Sequence, residues 1–199
     1  MDAFFFPNKK NVDKIVQYIN MAKKTCYICV FNVTNDDLCK AVLGRHKAGV
    51  DVKIITDDEC STNKGSDIQK FADAGIEVRT DDAPTYHMHD KFMVVDGKFV
   101  LTGSFNWTFQ AGSSNQENVL VVDHPYYCEK YSKEFDTLWH NFNKNKVEAQ
   151  QIKAATTIQR QYRSNKSKQD AKAHAKEPNQ QYAKKAKGYQ NPNYEFKPW

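Results

Sequence analysis

Six residues in one stretch of the chain stand at a spacing that suits attack on a phosphodiester. The stretch reads YHMHDKFMVVDGKFVLTGSFNWTFQAGSSNQE and runs from residue 86 to residue 117. It contains the pattern HxKx4Dx6GSxN, whose fixed positions are His89, Lys91, Asp96, Gly103, Ser104 and Asn106. Short pieces of this pattern occur by chance, but a match at all six positions is rare, so the pattern is a specific signal.

The residue types explain which reaction the pattern would serve. A phosphodiester is anionic, so its cleavage needs a nucleophile, neutralisation of charge and a proton donor. A neutral imidazole at His89 could attack phosphorus and form a phosphohistidine, while a second, protonated imidazole gives its proton to the leaving oxygen. Lys91 offers a positive charge to the nonbridging oxygens, and Ser104 and Asn106 offer neutral donors. Glu117 could accept the other ring N–H of His89 and fix its tautomer.

A β-hairpin is the element that must position these groups. The pattern predicts a buried strand over residues 91–95, a two-residue turn at Asp96-Gly97 and a return strand over residues 99–102. Because His89 and Lys91 are two residues apart, both side chains should leave one face of the strand. We therefore assign Asp96 a structural role in the turn. The neighbouring His87 is interpreted as an ordinary loop histidine.

Residues 4–142 resemble single-motif members of the phospholipase D superfamily, and most of all the group of mitochondrial cardiolipin hydrolases and Zucchini endonucleases. The resemblance is carried by Phe5-Phe6-Pro7, Tyr86-x-Met88-His89-x-Lys91-Phe92, Thr102-Gly103-Ser104-x-Asn106-Trp107-Thr108-x-Gln110-Ala111 and Glu117-Asn118-Val119. A bacterial single-motif endonuclease is a more distant relative. The resemblance implies that His89 is nucleophile and acid, that Lys91, Ser104 and Asn106 bind phosphate, and that Glu117 is the histidine partner. The mitochondrial members carry a Cys/His zinc-binding insert after the Phe-Pro strand, whereas here Pro7 leads directly into a predicted helix.

Strands and helices alternate along the first 143 residues. Strands are predicted over residues 4–6, 26–33, 50–56, 76–79, 91–95, 99–102 and 118–122, and helices over 12–22, 38–48, 66–74 and from Pro125 onwards. This alternation predicts an α/β fold with a mixed, largely parallel sheet flanked by helices. An apolar stripe on the last helix, formed by Tyr131, Phe135, Leu138 and Phe142, is expected to pack on the sheet.

The chain has five cysteines, two of which are paired as Cys26-x-x-Cys29. Such a pair could indicate a zinc or redox site, but it lies in a strand-like run and no second pair follows it. We therefore favour core packing and reduced thiols, and we expect neither a metal nor a cofactor.

Charge divides the chain at about residue 143. Residues 1–143 hold 16 Lys and Arg against 20 Asp and Glu, whereas residues 144–199 hold 13 against 4. We predict a catalytic domain over residues 1–143, a basic helix over 144–176 and a disordered tail over 177–199. The net charge of +9 after residue 143 suggests an acidic partner such as calmodulin, nucleic acid or a lipid surface.

The basic segment contains a match to the IQ motif, IQxxxRGxxxR. The matching positions are Ile158, Gln159, Arg163 and Lys168, with Ser164 in place of Gly. The resemblance implies binding to a calmodulin-like protein. The alternative is a solvated basic helix that packs against nothing.

No stretch approaches the ~20 apolar residues of a membrane span. The start of the chain also lacks the composition of a signal peptide. We expect an intracellular protein, either cytoplasmic or peripheral on a membrane such as the mitochondrial surface.

These observations predict a metal-independent phosphodiesterase of the phospholipase D superfamily. A phospholipid of the cardiolipin type is the first expected substrate, and single-stranded RNA or DNA is the alternative. A further alternative is a calmodulin-regulated binding module without catalysis. Since the chain has one motif and the reaction uses two imidazoles, a homodimer that brings two His89 side chains together is expected.

Overall fold

The computed structural model describes residues 1–61, 65–83, 85–142 and Lys166. Its strands are β1 (Asp2–Phe6), β2 (Thr25–Val30), β3 (Asp51–Thr56), β4 (Glu77–Thr80), β5 (Lys91–Val95), β6 (Phe99–Gly103) and β7 (Glu117–Val122). Its helices are α1 (Lys9–Met21), α2 (Asp36–Lys47), α3 (Asp58–Ser61), α4 (Ile68–Asp73), α5 (Phe109–Ser113) and α6 (Pro125–Asn141). The IQ-like motif and the predicted tail lie outside the described residues.

The seven strands form one sheet in the order β1-β7-β6-β5-β2-β3-β4. Only β2 with β3 and β3 with β4 are parallel, and the other four pairs are antiparallel. The mixed α/β class is as predicted, but the expectation of a largely parallel sheet is wrong. Alternation with helices does produce parallel pairing for β2, β3 and β4, whereas the β5–β6 hairpin and the pairing of β1 with the distant β7 reverse the direction elsewhere.

The sheet is covered on both faces by apolar layers. On one face, α1 buries Val12, Ile15 and Ile19, which are three to four residues apart and therefore on one side of the helix. On the other face, α6 buries Phe135, and the remaining residues of its predicted stripe pack around it. This confirms that the stripe belongs to the core. Within the described part of the chain, no helix combines the length and apolar character needed to cross a bilayer.

All five cysteines are free and buried. Cys26 and Cys29 lie in β2, so the prediction that they serve packing is confirmed. Burial raises the pKa of the Cys26, Cys39 and Cys60 thiols to about 12. It also raises the pKa of the thiols of Cys29 and Cys128.

Candidate active site

The turn of the β5–β6 hairpin is fixed by the side chain of Asp96. Both central residues have positive φ, 51° at Asp96 and 63° at Gly97, as expected for a two-residue hairpin turn. The Asp96 carboxylate accepts the backbone N–H groups of Lys23, Lys24 and Thr25 at 2.9, 2.8 and 2.9 Å. Burial alone would raise the pKa of this carboxyl, but the three donors hold it below its ordinary value. Asp96 therefore ties the hairpin to the start of β2.

His89 and Lys91 stand at the opposite, open end of the hairpin. His89 is exposed just before β5, and Lys91 is the half-buried first residue of the strand. The Lys91 Nζ donates to the backbone carbonyl of His89. Burial lowers the pKa of Lys91, although the nearby carboxylates of Asp90 and Glu117 act in the opposite direction.

The end of β6 brings Ser104 to the same end of the hairpin. A Cβ atom on Gly103 would lie 2.1 Å from the carbonyl oxygen of Asn118, so only glycine allows β6 and β7 to approach this closely. The backbone N–H of Ser104 donates to the same oxygen at 3.1 Å. The Ser104 hydroxyl accepts the N–H of Asn118 at 3.1 Å and donates to the carboxylate of Glu117.

Glu117 and Asn106 are placed differently from the other motif residues. The Glu117 carboxylate accepts from the Asn115 side chain at 3.1 Å as well as from Ser104, and no hydrogen bond joins it to His89 in the described ranges. Its role in orienting His89 therefore stays a prediction. The amide oxygen of Asn106 is buried, and within the described part of the chain it has no hydrogen-bond partner.

An open groove of about 740 Å³ runs past the open end of the hairpin. His89, Lys91 and Ser104 line one wall of the groove, and Lys130, Tyr131 and Glu134 of α6 also line it. Asn106 and Glu117 are not among the lining residues. The structure thus brings three of the sequence-predicted groups to one solvent-accessible surface, where an anionic diester could reach them.

Sequence reasoning missed the hydrogen bond between His87 and Asp57. The His87 Nδ1 lies 2.9 Å from an Asp57 carboxylate oxygen, and this bond raises the pKa of His87. Asp57 directly follows β3 and is fully buried. Because the two residues are 30 positions apart, no local pattern in the sequence could reveal the pair.

The described residues that could hold a cation are Asp57, Asp58 and Asp81, whose carboxylates lie within 4.8 Å of one another. The Asp57 carboxylate already accepts from Cys60 and contacts the His87 ring. The Asp81 carboxylate accepts the backbone N–H groups of Asp58 and Met88. Burial raises the pKa of both Asp58 and Asp81. These hydrogen bonds indicate that the carboxylates stabilise the loops that contain Asp58 and His87.

Comparison with known sequences agrees with the resemblance. The family model described as "Cardiolipin synthase, PLD-like domain" matches residues 15–139. The mitochondrial cardiolipin hydrolase of Chlamydomonas reinhardtii is 45% identical over 132 residues, which are 66% of this chain and 59% of that protein. The human mitochondrial cardiolipin hydrolase is 36% identical over 135 residues, which are 68% of this chain and 53% of that protein. The chain thus spans little more than half the length of these relatives.

A solved structure shares the fold. Nuc from Salmonella typhimurium, described as a phospholipase D family member, superposes with a TM-score of 0.68 at 29% identity. The superposition covers 74% of this chain and 97% of Nuc. The family model covers more than half of the chain, and the fold agrees with it. The chain therefore belongs to the phospholipase D-like family.

Proposed function

We propose that the protein is a metal-independent phosphodiesterase of the phospholipase D type, with His89 as its nucleophile. The observation that carries this proposal is the groove that His89, Lys91 and Ser104 line together. The reaction class follows from those groups, because a nucleophile, a cation and a neutral donor on one surface suit an anionic diester.

The reaction proceeds in two displacements. In the first, the unprotonated ring nitrogen of His89 attacks phosphorus, the bond from phosphorus to the leaving oxygen breaks, and that oxygen takes a proton from a second, protonated imidazole. In the second, water attacks the phosphohistidine, gives its proton to the second imidazole, and the N–P bond breaks. Lys91 offsets the charge on the nonbridging oxygens, and Ser104 and Asn106 donate hydrogen bonds to them.

The second imidazole is proposed to be His89 of another copy of the chain. The described residues contain one complete motif, and the other nearby imidazole, His87, is bonded to the buried Asp57. A two-fold dimer places identical residues opposite one another, so two His89 rings could share one site. The site is incomplete without that second copy.

The first proposed substrate is a phospholipid diester of the cardiolipin type. The curated relatives at 36–45% identity carry the name cardiolipin hydrolase. The groove carries both signs of charge, with Lys91 and Lys130 opposed by Asp90 and Glu134, which suits one diester better than a long anionic strand. The same relatives support a peripheral location at the mitochondrial surface.

Cleavage of single-stranded RNA or DNA is the second candidate. It is favoured by the 13 Lys and Arg against 4 Asp and Glu in residues 144–199, because a basic segment attracts nucleic acid.

The deciding experiment is a direct comparison of substrates. The full-length protein is assayed on cardiolipin vesicles and on labelled single-stranded RNA and DNA, with a His89→Asn protein as the control. We expect phosphatidic acid from the vesicles and no product with the control. Cleavage of nucleic acid alone would establish the second candidate, and no cleavage of any diester would leave a non-catalytic binding module.

Residues 158–168 are proposed to bind a calmodulin-like protein, on the strength of the IQ-like spacing in the sequence. The test is calorimetric titration of the full-length protein with calmodulin, with and without calcium. Ile158→Asp should abolish binding, because it places a carboxylate where an apolar anchor must be desolvated. Binding that survives this change would reduce the segment to a nonspecific basic arm.

A further inference from the structure

One aromatic ring contacts three polar side chains at the open end of the hairpin. Phe31 directly follows β2 and is half-buried. The centre of its ring lies 4.8 Å from the centre of the His89 ring and 5.6 Å from that of the His87 ring. The Lys91 Nζ lies 5.1 Å from the same ring centre, within the range of a cation–π contact.

Two groups, the Thr56 hydroxyl and the His87 imidazole, restrain Phe31. Its backbone carbonyl accepts the Thr56 hydroxyl at 3.1 Å, which ties the end of β2 to the end of β3. Its ring meets the His87 imidazole edge-on, at an interplanar angle of 77°. That imidazole is in turn fixed by the carboxylate of Asp57, which is fully buried and also accepts the N–H of Cys60 at 3.1 Å.

The contact with Phe31 matters because the His89 ring has few other restraints. In the ranges that the structure describes, no hydrogen bond is made by the His89 ring, and its side chain is exposed. A nucleophile must be held near its attack geometry, and small errors of position reduce the rate strongly. The ring of Phe31, tilted by 55° against the imidazole at a centre-to-centre distance of 4.8 Å, restricts its movement on the side that it contacts.

We propose that Phe31 is a positioning residue for His89 and Lys91, and that the His87–Asp57 pair acts through it by restraining its ring. This inference rests on the proposed function and deepens it. Phe31 touches the nucleophile and the phosphate-binding lysine, and it takes no part in bond making.

The test is a set of four variants assayed for kcat and KM. Phe31→Leu keeps an apolar side chain but removes the ring, and we expect kcat to fall about tenfold with KM changed less than about twofold. Phe31→Tyr keeps the ring and should retain the wild-type kcat. His87→Gln should lower kcat about threefold, and Phe31→Leu/His87→Gln should fall no further than Phe31→Leu alone, because His87 acts through the ring.

Phe99→Leu is the matched control. Phe99 pairs with Tyr18 at 5.7 Å, at the turn end of the hairpin, so its loss removes a comparable aromatic contact away from the groove. It should leave kcat unchanged. A folded Phe31→Leu protein with wild-type kcat, or one that changes only KM, would overturn the positioning role. Full additivity in the double variant would overturn the route from His87 through Phe31.

A readout that does not depend on turnover separates this inference from the proposed function. Carbon–proton NMR of the His89 ring, assigned with His89→Asn, should give one sharp signal in the wild type and a broadened or doubled signal in Phe31→Leu. If the wild type cleaves no diester, the proposed function fails while this measurement still tests the contact. An unchanged, sharp His89 signal in Phe31→Leu would refute the contact itself.

Discussion

The two ends of the β5–β6 hairpin differ in how completely their polar groups are satisfied. At the turn end, the Asp96 carboxylate accepts three backbone N–H groups from one neighbouring segment. At the open end, neither the His89 ring nor the buried amide oxygen of Asn106 has a hydrogen-bond partner among the described residues. The same two strands therefore connect a carboxylate that accepts three hydrogen bonds to an imidazole that makes none among the described residues.

This difference separates stability from chemistry within one motif. A carboxylate that accepts three backbone N–H groups contributes to folding, whereas an exposed imidazole without a hydrogen-bond partner remains available to a ligand. Substitutions at the open end should therefore affect turnover, and those at the turn end should affect unfolding. The predictions below follow that division.

The largest effect is expected for His89→Asn, which removes the proposed nucleophile and keeps a similar size. Diester cleavage should fall at least about 10³-fold, while the melting temperature stays the same because the side chain is exposed. Initial rates and thermal unfolding test this. The control is His140→Asn, an exposed histidine at the end of α6 that should leave the rate unchanged. Appreciable cleavage by a folded His89→Asn protein would falsify the assignment.

Lys91→Ala should cost about 10²–10³-fold in kcat, corresponding to roughly 3–4 kcal/mol of transition-state stabilisation. Its control is Lys98→Ala, at the turn end of the same hairpin, which should retain activity. If the dimer exists, mixing Lys91→Ala chains with wild type should also lower the activity per wild-type chain. A monomer with full activity at the assay concentration would rule out the shared site.

Asp96→Asn should lower the free energy of unfolding by about 1–2 kcal/mol at pH 7, because three charge-assisted hydrogen bonds become neutral ones. Asparagine tolerates the positive φ of this position, so the change isolates the charge. The folded pKa of Asp96 is lowered, so its contribution is present above the unfolded pKa of about 3.9 and is lost as the pH falls through the folded value.

Urea unfolding of wild type and Asp96→Asn at pH 7 and at lower pH measures this contribution. The difference between the two proteins should shrink as the pH falls, and kcat should stay within about twofold. Asp13→Asn, on the exposed side of α1, provides the surface control. A large loss of kcat in a stable Asp96→Asn protein would contradict the division between the two ends.

The smallest effect is expected from removal of divalent metal. Activity should be unchanged in EDTA, because the groups at the open end of the hairpin suffice for the phosphohistidine reaction. Asp58→Asn should also leave the rate unchanged, although Asp58 belongs to the cluster of three carboxylates. Loss in EDTA that zinc or magnesium restores, and that Asp58→Asn reproduces, would move the chemistry to that cluster.

The turn end could be predicted from the sequence because its signals are local. Asp96-Gly97 between two apolar runs predicts a hairpin turn, and the structure has that turn with positive φ at both residues. Asn35 before α2 is likewise a local signal, and its side chain accepts the N–H groups of Asp37 and Leu38 as a helix cap.

The remaining features depend on contacts between distant residues. The relative direction of the strands was mispredicted in part because β1 pairs antiparallel with β7. In that pair Phe4 lies opposite Val119, 115 positions away along the chain. Phe31 has the sequence features of an ordinary strand residue, and only the fold brings its ring into contact with both His87 and His89. Periodicity reports which face of an element is apolar, and it does not report which element lies opposite.

Because the native cysteines are buried, a single introduced cysteine can be labelled to detect association between two copies of the chain. With thiol pKa values near 12 for Cys26, Cys39 and Cys60, the reactive thiolate fraction at pH 7 is on the order of 10⁻⁵. All five native thiols are buried, so a maleimide dye should not react with them. It should label a cysteine introduced at the exposed Asp136 of α6. Donor and acceptor dyes on separate batches of Asp136→Cys protein would then report subunit exchange by energy transfer, without altering a residue of the groove.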